Sequence, residues 1–416
     1  MMFKALKIYD WKHFEKIDLI FHQRITILTG ANGSGKSTII RLLARHVNWQ
    51  FNELSTPEKD ESTGLLRYYA RKLLPKWFDG KKKTEVELGN VIGEITYSNN
   101  QKVQVHISPN VSNPQYSISI NNQQGIRGLH IPAYRPQYIH QPVQNLSLNP
   151  KSQEEAFNNS ANASRSTFGG GANQSGLFLK ETLINWIHHG YGNQINQGIS
   201  KYKDLFHGFE AKLKIVLPPA LGFQKFEVRN TELLLQCSSG DYILDASSGG
   251  ITALIDLTWQ LFLADNGKDN FLVIIDEIEN HLHPSMQRSI LGDLSTAFPC
   301  AVFIVSTHSP FVVGSVEDSF VYALAFNENN RVYSQKLDLV DKAGTASEIL
   351  RDVLGVSVTY PVWIEKRIQA ILYKYQSTEL NEGNIKLMSQ ELKEEGLSNL
   401  IPVALTHYLE NKEIKK

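Results

Sequence analysis

The chain is short of the features that mark a secreted or membrane protein. Of its 416 residues only two are cysteines, Cys237 and Cys300. They lie far apart and match no zinc-ligand spacing, which excludes a disulfide framework and points to a reduced, cytoplasmic setting. Apolar runs such as FLVII and CAVFIV are strand-sized, well below the roughly 18 to 20 residues that span a bilayer. The N-terminus, MMFKALKIYDWKHFEK, carries charges where a secretory signal needs an unbroken apolar stretch. Net charge is lacking too: Lys plus Arg and Asp plus Glu are 42 each, so the whole-chain balance argues neither for nucleic acid nor for an anionic membrane. A local basic face, such as Lys81 to Lys83, keeps nucleic acid open as a partner. No sustained heptad repeat is present to build a coiled-coil arm.

What is present is an alternation of strand and helix patterns. FKALKIYD, KIDLIF and RITILTG read as strands feeding a loop at Gly30, and STIIRLLARHVNW follows with helical spacing. The helical GLLRYYARKLLPKWF and the antiparallel meander VIGEITYS, KVQVHIS and QYSISINN come next. From Gln144 to Ser175 the chain turns rich in Asn, Ser, Ala and Gly, which predicts a flexible loop. The helices LFLKETLINWIHHGY and YKDLFHGFEAKLKIVL then form a short insert closed by Pro218 and Pro219. Beyond them, the unbroken apolar strands NFLVIIDE and CAVFIVSTHS alternate with helices, one of them the continuous PSMQRSILGDLSTAF. Such strands predict an α/β fold with a mainly parallel sheet flanked by helices. The tail after Gly344 reads as helical, through TASEILRDVLGV, VWIEKRIQAILYKY and LSNLIPVALTHYLE.

The chemistry sits at a few points. GANGSGKST, Gly30 to Thr38, fits G-x-x-x-x-G-K-[ST] between a predicted strand and a predicted helix. There the N–H groups of Asn32, Gly33, Ser34, Gly35 and Thr38 can close around phosphates, Lys36 can reach the terminal phosphates, and Ser37 can offer a hydroxyl to Mg²⁺. Asp276 ends a strand where an acid can help hold Mg²⁺. Glu277, the next residue of an extended chain, points to the other side and suits a general base. ASSGG places Ser247, Gly249 and Gly250 at a second anion-binding helix start. One nucleotide needs only one such loop per chain, so the second points to a homodimer in which it serves the neighbour's nucleotide. His308 in STHSP, at the carboxyl end of the next strand, should project beside Glu277 as a phosphate sensor.

The segment VIIDEIENHLHPS also holds His281 and His283, but no third ligand lies at helical spacing and a metal site is not expected there. Pro284 is placed to start a helix with Met286, Ile290, Leu291 and Leu294 as its buried stripe.

Together, GANGSGKST, ASSGG, VIIDE, NHLHP and THS occur in the order found in ABC-type ATPases. The chain resembles their soluble RecF- and OLD-like branch, and DEIENHLHP with STHSP looks most like the OLD-like phage-defence group and the Septu- and retron-associated ATPases. The resemblance implies a P-loop ATPase head that binds ATP and Mg²⁺. Residues 1–140 and 225–335 would form the head, with a loop and helical insert at 141–224 and a helical region at 336–416. It also implies a homodimer with ATP between the heads. Lys36, Ser37 and Asp276 would be phosphate and Mg²⁺ ligands, Glu277 the catalytic base, Ser247 and Gly249 the signature acting in trans, and His308 the switch histidine. ENHLH would be the D-loop. Gln137 is the candidate for the Q-loop glutamine and a further metal ligand, with Arg135 or Gln141 as alternatives. Ala246 departs from the leucine usual in the signature. A TOPRIM nuclease is not expected, because acids such as Glu365 lack the required D-x-D companion, so a separate effector, possibly a nuclease, is the expected partner. A RecF-like DNA-repair ATPase is the alternative, and a transporter subunit a third.

Overall fold

The computed structural model describes residues 1–59, 66–69, 91–107, 110–111, 114–135, 137–170, 174–192, 197–338, 345–350, 362–375, 382–395, 397 and 401. The chain divides into two compact units, Met1–Gly355 and Val356–Lys416. The larger is organised on an eleven-stranded mixed sheet. Its parallel part runs Phe320–Phe326, Ile25–Gly30, Ala301–Ser306, Phe271–Ile275 and Gly128–Ile131, with the glycine-loop strand Ile25–Gly30 between two parallel neighbours. Its other wing is antiparallel, formed by Phe3–Trp11 and the meander Val91–Tyr97, Lys102–Ile107 and Ile118–Ile120.

Both faces of the parallel strands are covered, which is why their sequences are apolar without a break. Alternate residues enter different cores. Ile25, Ile27, Val273, Ile275, Phe303 and Val305 pack with the helix Gly249–Ala264 and the insert. Leu28, Leu272, Ile274 and Ile304 pack with Ile39, Ile40 and Leu43 of the helix Lys36–Ala44. Each such side chain, fully buried, contributes about 1.5–3 kcal/mol.

Three sequence expectations need correction. The segment Gln144–Ser175, predicted as a flexible loop, forms the helix Gln153–Phe168 over much of its length. Ser152 caps it by accepting the Glu155 N–H at 3.1 Å, and Gln153 Nε2 donates to the carbonyls of Phe262 and Asp265 at 2.7 and 2.8 Å, at the C-terminus of the Gly249–Ala264 helix. Its buried face is made of Ala156 and Ala163, too small to register as an apolar stripe. Within the predicted helix GLLRYYARKLLPKWF, Leu66–Tyr69 is a strand paired antiparallel with Thr56–Lys59, in keeping with the β preference of tyrosine. The rest of that stretch, and Lys81 to Lys83, lie outside the described residues. The helix predicted from Pro284 breaks into Pro284–Gln287 and Ile290–Ala297, with Pro284 first and Met286 only partly buried.

The smaller unit holds the helices Val362–Tyr375 and Glu382–Glu394. Ile368, Ile371 and Leu372 of the first pack with Met388 and Leu392 of the second, and Arg367 pairs with Glu395 at 2.8 Å. Most of LSNLIPVALTHYLE lies outside the described residues. No described helix is long and apolar enough to cross a membrane.

Candidate functional site

The site forms where the parallel strands end. Gly30 leaves its strand at φ +140°, and a Cβ there would lie 2.5 Å from the Leu324 carbonyl oxygen. Gly35 caps the following helix at φ +92°, and a Cβ on it would meet the Phe14 ring at 2.4 Å and His13 Nε2 at 2.6 Å. Only glycine serves at either point. Between them the Ser34 hydroxyl is buried without a partner. Gly33, at φ +78°, faces open space. Lys36 Nζ folds back onto its own loop, donating to the carbonyls of Gly30 at 2.9 Å and Ala31 at 3.1 Å. Burial lowers the Lys36 pKa to about 8 against the opposing pull of Asp276, Glu277 and Glu279.

The acids come from the strand two places along. The Ser37 hydroxyl donates to Asp276 Oδ1 at 3.1 Å, and Ser306 Oγ donates to the same oxygen at 2.5 Å. Two hydroxyls and a carboxylate are hard oxygen donors of the kind Mg²⁺ takes alongside phosphate and water, so these residues fit that ion. Glu277 corrects the sequence argument about its direction. The strand ends at Ile275, and Glu277 reaches its position by a left-handed turn at φ +48°, not by strand alternation. Its N–H donates to Ser306 Oγ at 2.9 Å, and Asn280 Nδ2 donates to its Oε2 at 2.8 Å. The other oxygen, Oε1, lies 3.9 Å from His308 Nε2. Burial lowers the His308 pKa, Lys36 lowers it further, and the three acids oppose both.

Of the proposed metal ligands the structure thus brings Ser37 and Asp276 together, whereas the Gln137 side chain lies against Gly249, where an added Cβ would come within 2.6 Å of its Nε2. Its alternative, Arg135, is buried and donates through Nη2 to the Glu277 carbonyl oxygen. Ser306, Asn280 and Glu279 were not singled out from sequence. Glu279 accepts the His308 N–H. Ser306 opens the STHSP segment and Asn280 lies in ENHLH, so position beside known motifs was the available signal.

Ser247, Gly249 and Gly250 stand at the start of the helix Gly249–Ala264, whose N-cap Ser248 makes no side-chain cap. A Cβ on Gly250 would meet the His281 carbonyl oxygen at 3.0 Å, so this loop borders the expected D-loop. It is anchored from behind. Asp245 ion-pairs with Lys180 of the insert, both side chains 1% exposed, and His140 Nδ1 lies 3.0 Å from the same carboxylate. His140, Glu232 and Asp245 are close enough to share an ion, but the buried lysine already supplies the positive charge there. His283 caps the helix at Pro284 by accepting the Ser285 N–H.

Residues 3–58 match the family described as the P-loop containing region of AAA domain, and residues 242–314 match an AAA domain family described with the AbiEii toxin and the type IV toxin–antitoxin system. The Septu protein PtuA of Bacillus mycoides (strain KBAB4) is 25% identical over 361 residues, covering 80% of this chain and 42% of that protein. The Retron Vc95 probable ATPase of Vibrio cholerae is 34% identical over 108 residues, 26% and 20% of the two chains. The Retron Ec83 probable ATPase of Escherichia coli is 27% identical over 200 residues, 45% and 35%. In each case the matched part is less than half the length of the relative. With its phosphate loop, its acid pair at a parallel strand end and this set of relatives, the chain has a P-loop ATPase fold and is similar to the Septu and retron proteins.

Proposed function

We propose that the chain hydrolyses ATP as a dimeric switch that controls a separate effector protein in anti-phage defence. The observation that carries this is the hydrogen-bonded convergence of Ser37, Ser306 and Asp276, with Glu277 and His308 beside it, at the carboxyl ends of adjacent parallel strands. In this reading residues 1–140 and 225–335 make up the head and 141–224 the insert.

In this mechanism Lys36 exchanges its loop carbonyls for the β- and γ-phosphates of ATP, and the loop N–H groups from Asn32 to Thr38 hold the remaining oxygens. Mg²⁺ would be held by Ser37 and Asp276 and would supply charge neutralisation on the phosphates. Asn280 occupies one oxygen of Glu277, leaving Oε1 to accept a proton from the attacking water. The water oxygen bonds to the γ-phosphorus, the bond to the bridging oxygen breaks, and ADP leaves with phosphate. His308 contacts the phosphoryl oxygens and relays the loss of phosphate. Ser247 and Gly249 of a second copy close over the same phosphates, so nucleotide state sets the dimer, and the dimer sets the effector.

Glu277→Gln tests this. The variant should bind ATP, remain dimeric in its presence and turn over at a rate about 10²- to 10⁴-fold lower. Wild-type turnover by the variant would sink the assignment, and loss of phage protection with retained expression would tie the chemistry to defence.

A further inference from the structure

We propose that Arg135 is a positioning residue for hydrolysis, a buried guanidinium that holds the turn carrying Glu277 and balances the charge of the acids around it. The proposal rests on the reading of Glu277 as the base. Arg135 follows the strand Gly128–Ile131, the parallel neighbour of the Asp276 strand. The side chain is 6% exposed, and its Nη2 donates to the Glu277 carbonyl oxygen.

That carbonyl belongs to a residue whose backbone is out of the ordinary. At φ +48°, Glu277 occupies the left-handed region, which for a non-glycine residue costs about 1–3 kcal/mol and persists only where the surroundings hold it. The clamp has two jaws. Ser306 Oγ accepts the Glu277 N–H at 2.9 Å, and Arg135 takes the carbonyl on the other side. With both ends of the residue held, the carboxylate is aimed so that Asn280 takes one oxygen and the other faces His308.

Charge gives the second argument. A guanidinium with a purely structural task usually grips one carboxylate with a two-pronged fork. Here no acid among the described residues pairs with Arg135 in that way, and its Nε and Nη1 have no hydrogen-bond partner. Instead Asp256, Glu279, Asp276 and Glu277 all act on it from a distance, opposing the desolvation that would otherwise disfavour its charge. An arginine cannot shed that charge. It therefore serves as a shared counter-charge to acids that it does not pair with one by one.

The test compares ATP turnover by full-length variants. Arg135→Met removes both charge and donor, Arg135→Gln keeps an N–H donor without charge, and Arg135→Lys keeps the charge on one donor atom. Arg135→Met should lower kcat by about 10²-fold, the scale of a misplaced catalytic group, with the KM for ATP nearly unchanged. Arg135→Gln and Arg135→Lys, which can still donate to the Glu277 carbonyl oxygen, should restore most of kcat. Wild-type kcat in Arg135→Met would overturn the proposal, as would a loss carried by KM. If Arg135→Met does not fold, a loss in Arg135→Gln or Arg135→Lys carried by KM rather than kcat overturns it equally. The parent reading fails separately: if Glu277→Gln remains active, Glu277 is not the base, whereas an inactive Glu277→Gln beside a fully active Arg135→Met sinks only the role of Arg135.

Discussion

Two loops in this chain open helices with glycines, yet they are furnished very differently. The loop from Gly30 to Thr38 finds its partners within its own chain. Lys36 has two carbonyls to rest on, Ser37 has Asp276, and Gly30 and Gly35 are pressed so closely by Leu324, Phe14 and His13 that no side chain fits. The loop from Ser247 to Gly250 is held from behind, by Asp245 on Lys180. Its helix, like that of the first loop, has no side-chain cap, but Gly249 and Gly250 border the Gln137 side chain and the His281 carbonyl oxygen, with no lysine or acid of the site beside them. On the proposed reading the first loop is a site and the second is half of one. A helix start with unpaired donors suits an anion that another molecule brings.

The sharpest way to break this contrast is complementation. Lys36→Ala and Ser247→Arg chains should each lose turnover on the order of 10³-fold, the scale of removing charge stabilisation from a transferring phosphoryl group. Mixed, they should recover activity, because one interface of the hybrid dimer then pairs an intact first loop with an intact second one. No recovery in a mixture shown to hold hybrid dimers would mean that the two loops do not meet across subunits.

A smaller effect is expected from the anchor of the second loop. Lys180→Met leaves Asp245 buried beside His140 alone, and breaking such a pair costs about 3–5 kcal/mol. Denaturation should show the loss while ATP affinity at the first loop stays as it was. An equal fall in ATP affinity would erase the distinction between the loops.

The first loop should instead be sensitive to acid through the scaffold behind it. His46, hydrogen-bonded through Nε2 to the Tyr97 hydroxyl at 2.8 Å, and His130, with Nδ1 3.2 Å from the Ile274 carbonyl oxygen, both have pKa values lowered to about 4 by burial. The unfolded chain protonates them near pH 6.5. Their contribution is thus whole above that pH and is lost as pH falls toward 4. It amounts to about 2 kcal/mol of lost stability per histidine at pH 5. Unfolding midpoints measured between neutral and acid pH, with His46→Gln and His130→Gln for comparison, check this.

The smallest effect concerns Lys36, whose pKa near 8 makes ATP affinity depend on alkali. Bound phosphate favours the protonated amine, so above pH 8 binding must take up a proton, and Kd should rise by up to about tenfold per unit. Titration of ATP binding at mildly alkaline pH reads this directly, and a flat profile would deny the lysine its phosphate contact.

Much of this site was legible in the sequence because its parts obey short-range rules. A strand, glycines and a lysine at fixed spacing announce the first loop, and an apolar run ending in Asp276 announces the acid. What stayed hidden depends on contacts between distant segments. The role of Arg135 rests on a bond to a carbonyl 142 residues away, and no local pattern reports that. The turn at Glu277 was missed because a run of strand residues gives no warning of where the strand stops. The helix Gln153–Phe168 was missed because its buried face is alanine, and its stabilising contacts are polar caps to another helix.

The resting place of Lys36 has one further consequence. By hydrogen-bonding the carbonyls of Gly30 and Ala31, the ammonium acts as a stand-in for its own ligand and keeps the phosphate loop from closing on itself. Arrival of a nucleotide is then an exchange of one set of polar contacts for another, with little chain left to order. An ATPase switch of the kind proposed would gain from a binding loop that needs little reordering when its nucleotide arrives.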